Sequence, residues 1–484
     1  MAQSRTPREE DIKRFIQEGS AANIMGSLAG GAFLTGLALY LGASDAQIGL
    51  LSSLPPLATL VQLLTPYLVR KMGNRKKVTL VTLALGRLSW IIIALLPIIL
   101  LNRHPEFQFS MILGIIIAST GFNSIGSITW WAWMRDFIPR DMMGKYFSRR
   151  NLWAGLIAIT ASYLGSVSLD LYKNLVSPIL YGYGFSGLFI LGIGFGVWSI
   201  YLLTKIPDWE VNAPVPDNPA LKELAEPLKD RNFMLFVVDR SLWSFSVYLA
   251  APFFNVYLLK YLHASWSYIG FINLVASLAS LYCITFWGNI IDHFGNKSLL
   301  VISCFMKALY PIIWLFAWQG NYFWLLIIPQ FLSAFDSAIN LTANNLTLKL
   351  SPQGKTATYV SVSATIINIA SAAAPLLASW MLTFSDAQGN IPLPWLGPVN
   401  GIKILFVASA SMRFFSSNSL SKMHEPESRG IRHIFKVLKE VKGIVPSYTE
   451  LDQSIRFWFR PLDDMRTTIL GWIMPEDKDK EDEE

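Results

Sequence analysis

The stretch Phe122-Asn123-Ser124-Ile125-Gly126-Ser127-Ile128-Thr129, running on to Pro139, has a second, diverged copy. That copy is Phe335-Asp336-Ser337-Ala338-Ile339-Asn340-Leu341-Thr342, running on to Pro352. Each copy closes a long apolar run, and the register holds beyond the prolines, with Tyr146 opposite Tyr359 and Ser148 opposite Ser361. Upstream, Leu41-Gly42-Ala43-Ser44 followed by Ile48-Gly49 returns as Leu262-His263-Ala264-Ser265 followed by Ile269-Gly270, and Gly73-Asn74 returns as Gly295-Asn296. The echoes keep the same order in both places. The chain therefore reads as two homologous halves, each built of several hydrophobic segments.

Composition fixes the solvent of those segments. Apolar residues make up 52% of the chain and charged residues 15%, and mean hydropathy is +0.40; a water-soluble domain carries more charge. The apolar runs, punctuated by Pro and Gly, are about 20 residues or longer, enough to cross a hydrocarbon core of roughly 30 Å. Twelve are expected, near 20–41, 47–69, 78–101, 108–134, 151–172, 182–204, 233–260, 267–287, 298–318, 322–348, 357–384 and 400–421. No barrel-type alternation is visible, so the spans are read as helices. The expected fold is all-α and polytopic, with a bundle over 20–204, a linker over 205–232 and a second bundle over 233–421. A two-half membrane architecture points to a transporter whose site lies where the halves meet.

The net charge of +7 is topology rather than a nucleic-acid footprint. Arg70, Lys71, Arg75, Lys76 and Lys77 follow the second run, Arg135, Arg140, Lys145, Arg149 and Arg150 the fourth, and Lys205, Lys222, Lys229 and Arg231 the sixth. The alternate loops offer little beyond Arg103, Lys173 and Lys260. That asymmetry places both termini and the basic loops in the cytoplasm of a multi-pass protein, with the plasma (inner) membrane as the expected site. The first 19 residues carry Glu9, Glu10, Asp11 and Glu18 and do not read as a signal peptide. In the linker Pro207, Pro214, Pro216, Pro219 and Pro227 break the apolar pattern, leaving room for one short helix around 220–228. In the tail, 422–484, Ile431, Ile434, Phe435, Leu438 and Val441 share a helical face beside Arg429, Arg432, Lys436, Lys439 and Lys442. Such a helix suits either the inner leaflet or the cytoplasmic loops.

Catalysis finds no support. Cys283 and Cys304 lie inside spans with no ligand spacing around them, and no P-loop, dinucleotide fingerprint or HExxH pattern occurs. No enzyme activity, metal or cofactor is expected.

Gly288-Asn289-Ile290-Ile291-Asp292-His293-Phe294-Gly295-Asn296-Lys297 is a GxxxDxxGxK run after the eighth span. It resembles the loop signature of the major facilitator superfamily, at the place between the second and third spans of a half where that family carries it. In physical terms Gly288 would let helices approach, Asp292 cap a neighbouring helix or meet a cation, Gly295 make the turn and Lys297 face water. Arg135-Asp136-Phe137-Ile138-Pro139 with Gly144-Lys145 resembles the loop that precedes the fifth helix in many members. The resemblance covers roughly 20–421. It implies two six-helix bundles around a central cavity, opening alternately to each side, and a carrier expected to act as a monomer among membrane lipids. Departures accompany it. The first-half copy of the motif ends Arg70-Lys71-Met72-Gly73, with Arg70 where the acidic residue belongs, so no Asp-dependent latch is expected there. The interior of the fourth span, Met111 to Trp133, holds no arginine, and the fifth lacks a GPxxGG run, unlike typical drug/proton antiporters of the family.

Charges inside spans mark function, because each costs several kcal/mol at mid-membrane, by about 3 kcal/mol on insertion scales. Asp336 lies about 21 Å of helix from the outer end of the tenth span, and Asn340 and Asn344 continue its face; its first-half counterpart is Asn123. Asp336 is expected to face the cavity and to serve proton coupling or substrate binding. Arg87 and Lys307 lie roughly 15 Å into the third and ninth spans, placed to bind a substrate anion or to pair with Asp336 or Asp239. Asp239 and the adjacent Arg240 point to different faces of the seventh span and read as gate or interhelix residues. Trp130, Trp131 and Trp133 read as an interfacial aromatic belt. Together these features point to a secondary active transporter of a small organic solute, inclined toward an anion or zwitterion and coupled to protons or another ion. The alternative is a non-transporting scaffold or assembly factor on the same fold, delivering a lipid or pigment.

The orientation is testable. Cysteines introduced at Ser44 and Gln388 should react with an impermeant thiol reagent added outside intact cells, and one at Asn218 should not; the reverse pattern would exclude this topology.

Overall fold

Within lipid a backbone N–H or C=O can find its partner only inside the chain, and every apolar run is accordingly helical. The computed structural model describes residues 9–100, 105–139, 142–208, 225–352, 355–385, 391–393 and 397–420. Eleven helical segments are long and apolar enough to cross a membrane. In chain order these spans are Glu9–Tyr40, Asp45–Leu64, Arg75–Ile99, Glu106–Arg135, Tyr146–Leu175 and Gly182–Lys205, then Arg231–Tyr261, Trp266–Ile284, Asn296–Leu315, Tyr322–Leu350 and Thr358–Thr383. The helix Gly401–Leu420 makes the twelfth span. Two three-residue strands, Ile391–Leu393 and Gly397–Val399, pair antiparallel between the last two. Large apolar side chains such as Leu175, Trp324, Ile99 and Phe415 are exposed on the outside of the bundle, where lipid rather than water suits them.

Capping residues set where the spans begin. Ser44 accepts from the Gln47 amide while the Gln47 side chain accepts from the Ser44 amide, a reciprocal box opening the second span. Its repeat partner Ser265 accepts from the Tyr268 amide at the start of the eighth. Asn74 caps the third span, and Asp230 accepts from the Asn232 and Phe233 amides at the seventh. The turn before each of the first two caps needs a left-handed residue: Gly42 has φ 82° and His263, its counterpart, φ 52°. Gly73 and Gly295 likewise both take positive φ, at 70° and 81°. Repeats in sequence have become repeats in backbone.

Packing repeats as well. In the first half the first span packs against the fifth and sixth, and the third against the fourth and sixth. In the second half the seventh packs against the eleventh and twelfth, and the ninth against the tenth and twelfth. The halves meet along two seams related in the same way, second span on eleventh and fifth on eighth. Glycine makes both seams possible. A Cβ on Gly49 would lie 2.0 Å from Ser379 Oγ and 2.7 Å from the Pro375 carbonyl oxygen, and one on Gly270 would lie 2.7 Å from Ser166 Cβ. These are the two glycines that the Ile-Gly echo had paired.

Three expectations are corrected. The first helix begins at Glu9 rather than near residue 20, and Asp11, Phe15 and Glu18 are buried within the bundle; the charges find partners, so the segment need not stay in water. The tenth span is not one helix but three pieces, Tyr322–Leu325, Ile328–Phe331 and Ala334–Leu350. Pro329 contributes to the break, and around it the amides of Gln330, Ser333 and Asp336 donate to the third residue before them, as in a tighter helix. Finally, a Cβ on Gly288 would meet nothing within 4 Å among the described residues, so this glycine does not serve close helix approach in this conformation. The short helix expected around 220–228 is described only from 225 on, where Pro227–Lys229 forms a single 3-10 turn. The amphipathic tail lies outside the described residues.

Because the two seams hold the halves together through missing side chains, Gly49→Val and Gly270→Val should each disfavour this arrangement by about 1–3 kcal/mol, the usual cost of overpacking. Spin labels at Lys173 and His263, one on each half, should then show a longer distance in either variant than in the parent. Unchanged distance distributions in both would refute the role of the seams.

Candidate functional site

The ninth, tenth, seventh and twelfth spans bring four buried or half-buried charges to one place. Lys307 Nζ donates to Asp336 Oδ2 at 2.7 Å and to Ser333 Oγ at 3.1 Å. The lysine side chain is 11% exposed and the carboxylate 43%: the cation is sunk in the wall and the anion stands at its surface. Asp336 occupies the first turn of Ala334–Leu350, where its amide and that of Phe335 donate to the Ser333 and Leu332 carbonyl oxygens. The break in the tenth span thus creates the helix end on which Asp336 sits. Lys307 also lies 4.5 Å from the Tyr310 ring centroid.

These groups line a cavity of about 440 Å³ together with Arg240, Arg413, Gln330 and Asn340, within the size range of small-molecule sites. Trp243, Tyr248, Phe254 and Tyr310 supply its aromatic wall. Arg413 is 2% exposed; its Nη1 donates to the Lys307 carbonyl oxygen at 3.2 Å, and its guanidinium lies 5.8 Å from the Trp243 ring centroid. Among the described residues, Arg240 Nη1 and Arg413 Nε are buried without a hydrogen-bond partner.

The first half uses the equivalent positions differently. Asn123, the counterpart of Asp336, donates to the Ser119 carbonyl oxygen at 2.8 Å and lies against Gly86 of the third span. No ion pair forms there. Arg87, expected to join Lys307 at a substrate, is instead buried in its own half. It donates to the Gly196 carbonyl oxygen at 2.9 Å and to Ser199 Oγ at 2.8 Å, and lies 3.9 Å from Glu18 Oε1. Arg150 Nη2 donates to Glu18 Oε2 at 2.8 Å, with its guanidinium 4.4 Å from the Trp130 ring centroid and 5.1 Å from that of Phe15. Trp130 and Trp133 are therefore buried, and only Trp131 is exposed as a belt residue would be.

Of the other expected residues, Asp239 faces away from the cavity, where Ser416 Oγ donates to its Oδ1 at 3.2 Å. Arg240 is in the cavity wall and not at a rim. Asn344 is exposed and lies outside the cavity lining, unlike Asn340. Gly295 makes the expected turn and Gly73 its counterpart; Lys297 follows that turn, half-buried. The side chains of Arg70, Asp136 and Asp292 lie outside what is described. Sequence reading missed Arg413 and Glu18. The first carried a readable signal, a charge inside the last apolar run, while the second had been assigned to the segment before the first span.

The end of the molecule away from the basic loops is bridged. Lys260 Nζ and Tyr261 Oη donate to Asp45 at 2.7 and 3.0 Å. The Trp266 and Ser267 amides donate to Asp170 at 2.9 and 2.6 Å, so a first-half carboxylate caps a second-half helix. Ser379 Oγ donates to the Ala46 carbonyl oxygen at 2.8 Å. Further toward the middle, Asn368 Nδ2 donates to Thr59 Oγ1 at 3.1 Å.

A sequence profile described as Major Facilitator Superfamily matches residues 19–375 and 241–448. The chain belongs to that superfamily. Among solved structures it is similar to the nucleoside transporter NupG, with TM-score 0.65 and 14% identity over 85% of this chain and all of that one. It is similar also to the xylose transporter XylE from E. coli in an inward-open conformation, with TM-score 0.62 and 13% identity over 87% of this chain and 99% of that one. At these identities the likeness is one of fold. A curated relative, sugar efflux transporter B of Salmonella typhimurium, is 30% identical over 92 residues, 19% of this chain and 23% of that protein.

Among the described residues Glu18 is the carboxylate that Arg87 and Arg150 share, and it is 2% exposed, so its loss leaves one buried and one largely buried cation uncompensated. Glu18→Gln should lower stability by about 3 kcal/mol, read as a fall in the thermal unfolding midpoint in detergent. A midpoint equal to that of the parent would show that the cluster contributes nothing to the bundle.

Proposed function

We propose that this chain is a secondary active transporter that carries a small organic solute by alternating access, with the Lys307–Asp336 pair as its coupling element. One observation supports this above the others: the pair stands on the wall of a ligand-sized cavity, while the counterpart of Asp336 in the homologous half is the neutral Asn123, which lies against Gly86. A scaffold function gives no reason for such a difference between copies. Membership of the superfamily supports transport, and the relatives named for nucleosides, xylose and sugars suggest a polar organic solute.

The coupling follows from the chemistry of the pair. With Asp336 ionised, Lys307 and Ser333 hold it and tie the ninth span to the tenth. A proton on Asp336 removes the charge attraction, frees the lysine and loosens that tie, so proton and solute load the same cavity. The basic loops suit the opposite end to the cytoplasm, and the bridges from Asp45, Asp170 and Ser379 then lie on the outer side. In this reading the protein is an inner-membrane carrier with cytoplasmic termini.

Proteoliposomes loaded with a pH-sensitive dye and challenged with a panel of organic solutes provide the test. A transported solute should shift the lumenal pH with the parent protein and fail to do so with Asp336→Asn, while exchange of labelled solute survives, because exchange needs no net proton release. A monodisperse Asp336→Asn protein with undiminished proton movement would rule the coupling role out.

A further inference from the structure

We propose that the solute is a small organic anion, and that its acidic group takes the place on Lys307 that Asp336 occupies in the empty carrier. This rests on the transport reading above and narrows it to one class of substrate.

Charge in the cavity wall is one-sided. The lining holds Arg240, Lys307 and Arg413 against one carboxylate, Asp336. The remaining nearby carboxylate, Asp239, accepts from Ser416 on the twelfth span and is not part of the lining, but its charge acts on the adjacent Arg240, so three positive charges against two negative leave an excess of one over the whole cluster. The other groups facing the pair are neutral: Ser333, Tyr310, Gln330 and Asn340. In the first half the counterpart of Asp336 is the neutral Asn123, and the buried cations Arg87 and Arg150 are held by Glu18, so the fold itself does not require a carboxylate at this place.

Two of the cations have unused capacity. Among the described residues the Arg240 Nη1 and Arg413 Nε atoms are buried without hydrogen-bond partners, and Arg413 is 2% exposed. A buried donor without a partner is costly, so such atoms in a native site call for an acceptor. Arg413 is otherwise committed: it braces the Lys307 carbonyl oxygen and stacks on Trp243, which makes it a positioning residue that adds field. Lys307, over the face of Tyr310, and Arg240 are the groups able to meet an acidic headgroup. The aromatic wall of Trp243, Tyr248 and Phe254 then suits a compact, partly apolar body.

The same arrangement sets the stoichiometry. In the empty carrier Asp336 neutralises Lys307. In the loaded carrier a proton sits on Asp336 and a monoanion on Lys307, so the net charge of the cavity is unchanged. One proton and one negative charge move together and transport is electroneutral. A neutral solute entering with the proton would instead leave Lys307 without a counter-charge in the bundle.

Thermal stabilisation of the purified full-length protein tests this, since a ligand of the native state raises apparent stability. The probes are benzoate, shikimate and glucose 6-phosphate, each beside its uncharged counterpart benzamide, methyl shikimate and glucose, which separates carboxylate from phosphate headgroups. At least one anion should stabilise the parent, more strongly at pH 5.5 than at pH 8, and its neutral counterpart should not. Lys307→Gln and Arg240→Gln should each weaken that anion at least tenfold, and Lys307→Arg should retain it. Stabilisation by none of the anions, equal stabilisation by the neutral counterparts, or unaltered anion affinity in both glutamine variants would overturn the assignment. Proton movement driven by a neutral solute in the dye-loaded proteoliposomes would refute the anion while leaving transport standing. Anion binding without proton movement would do the opposite.

Discussion

An ion taken out of water into an apolar bundle costs several kcal/mol unless a counter-charge and hydrogen-bond donors stand within reach. That constraint organises the interior of this molecule. Glu18 satisfies it with Arg87, Arg150 and the Ser199 hydroxyl, which donates to Glu18 at 3.1 Å, so the first bundle encloses three charges and remains closed around them. Lys307 satisfies it with Asp336, whose carboxylate is left near the cavity surface. In the first arrangement both carboxylate oxygens are engaged inside the bundle. The second is strong enough to exist and accessible enough to be exchanged for another anion.

Both halves are built on one plan, and their differences are more informative than their agreement. Glu18 with Ser199 in the first and sixth spans is matched by Asp239 with Ser416 in the seventh and twelfth. Gly42 and His263 make the same left-handed turn, and Gly49 and Gly270 admit the opposite half at the two seams. These shared features serve architecture. The Lys307–Asp336 pair, Arg240 and Arg413 belong to one copy, which is why the site is assigned to them.

The bridges between halves also follow a rule. Asp45 and Asp170 each lie near the end of a first-half span and bind donors at the junction of the seventh and eighth spans. Asp45 is 1% exposed and meets a lysine and a phenol, whereas Asp170 meets only backbone amides. Parting the halves would return these groups to water and replace each bond by a hydrated one, so the net cost is small. A seam of this kind can hold a state without trapping it.

Much of this was legible in the chain. The twelve apolar runs, the two-half plan and the positions of Gly73, Gly295, Ser44 and Ser265 follow from hydropathy, repetition and local turn chemistry, which act over a few residues or one helix. Asp336 and Lys307 could be marked as costly, because a charge in an apolar run is costly wherever it lands. Their pairing could not be read, nor could the removal of Arg87 to a separate cluster, because partners 29 or more residues apart are chosen by which helix faces meet. The break in the tenth span and the burial of Glu18 have the same origin. Sequence determined which residues needed partners; packing of the helices decided who the partners are, because a charge in an apolar interior is stabilised only by groups within a few ångströms, and that proximity exists only in the folded bundle.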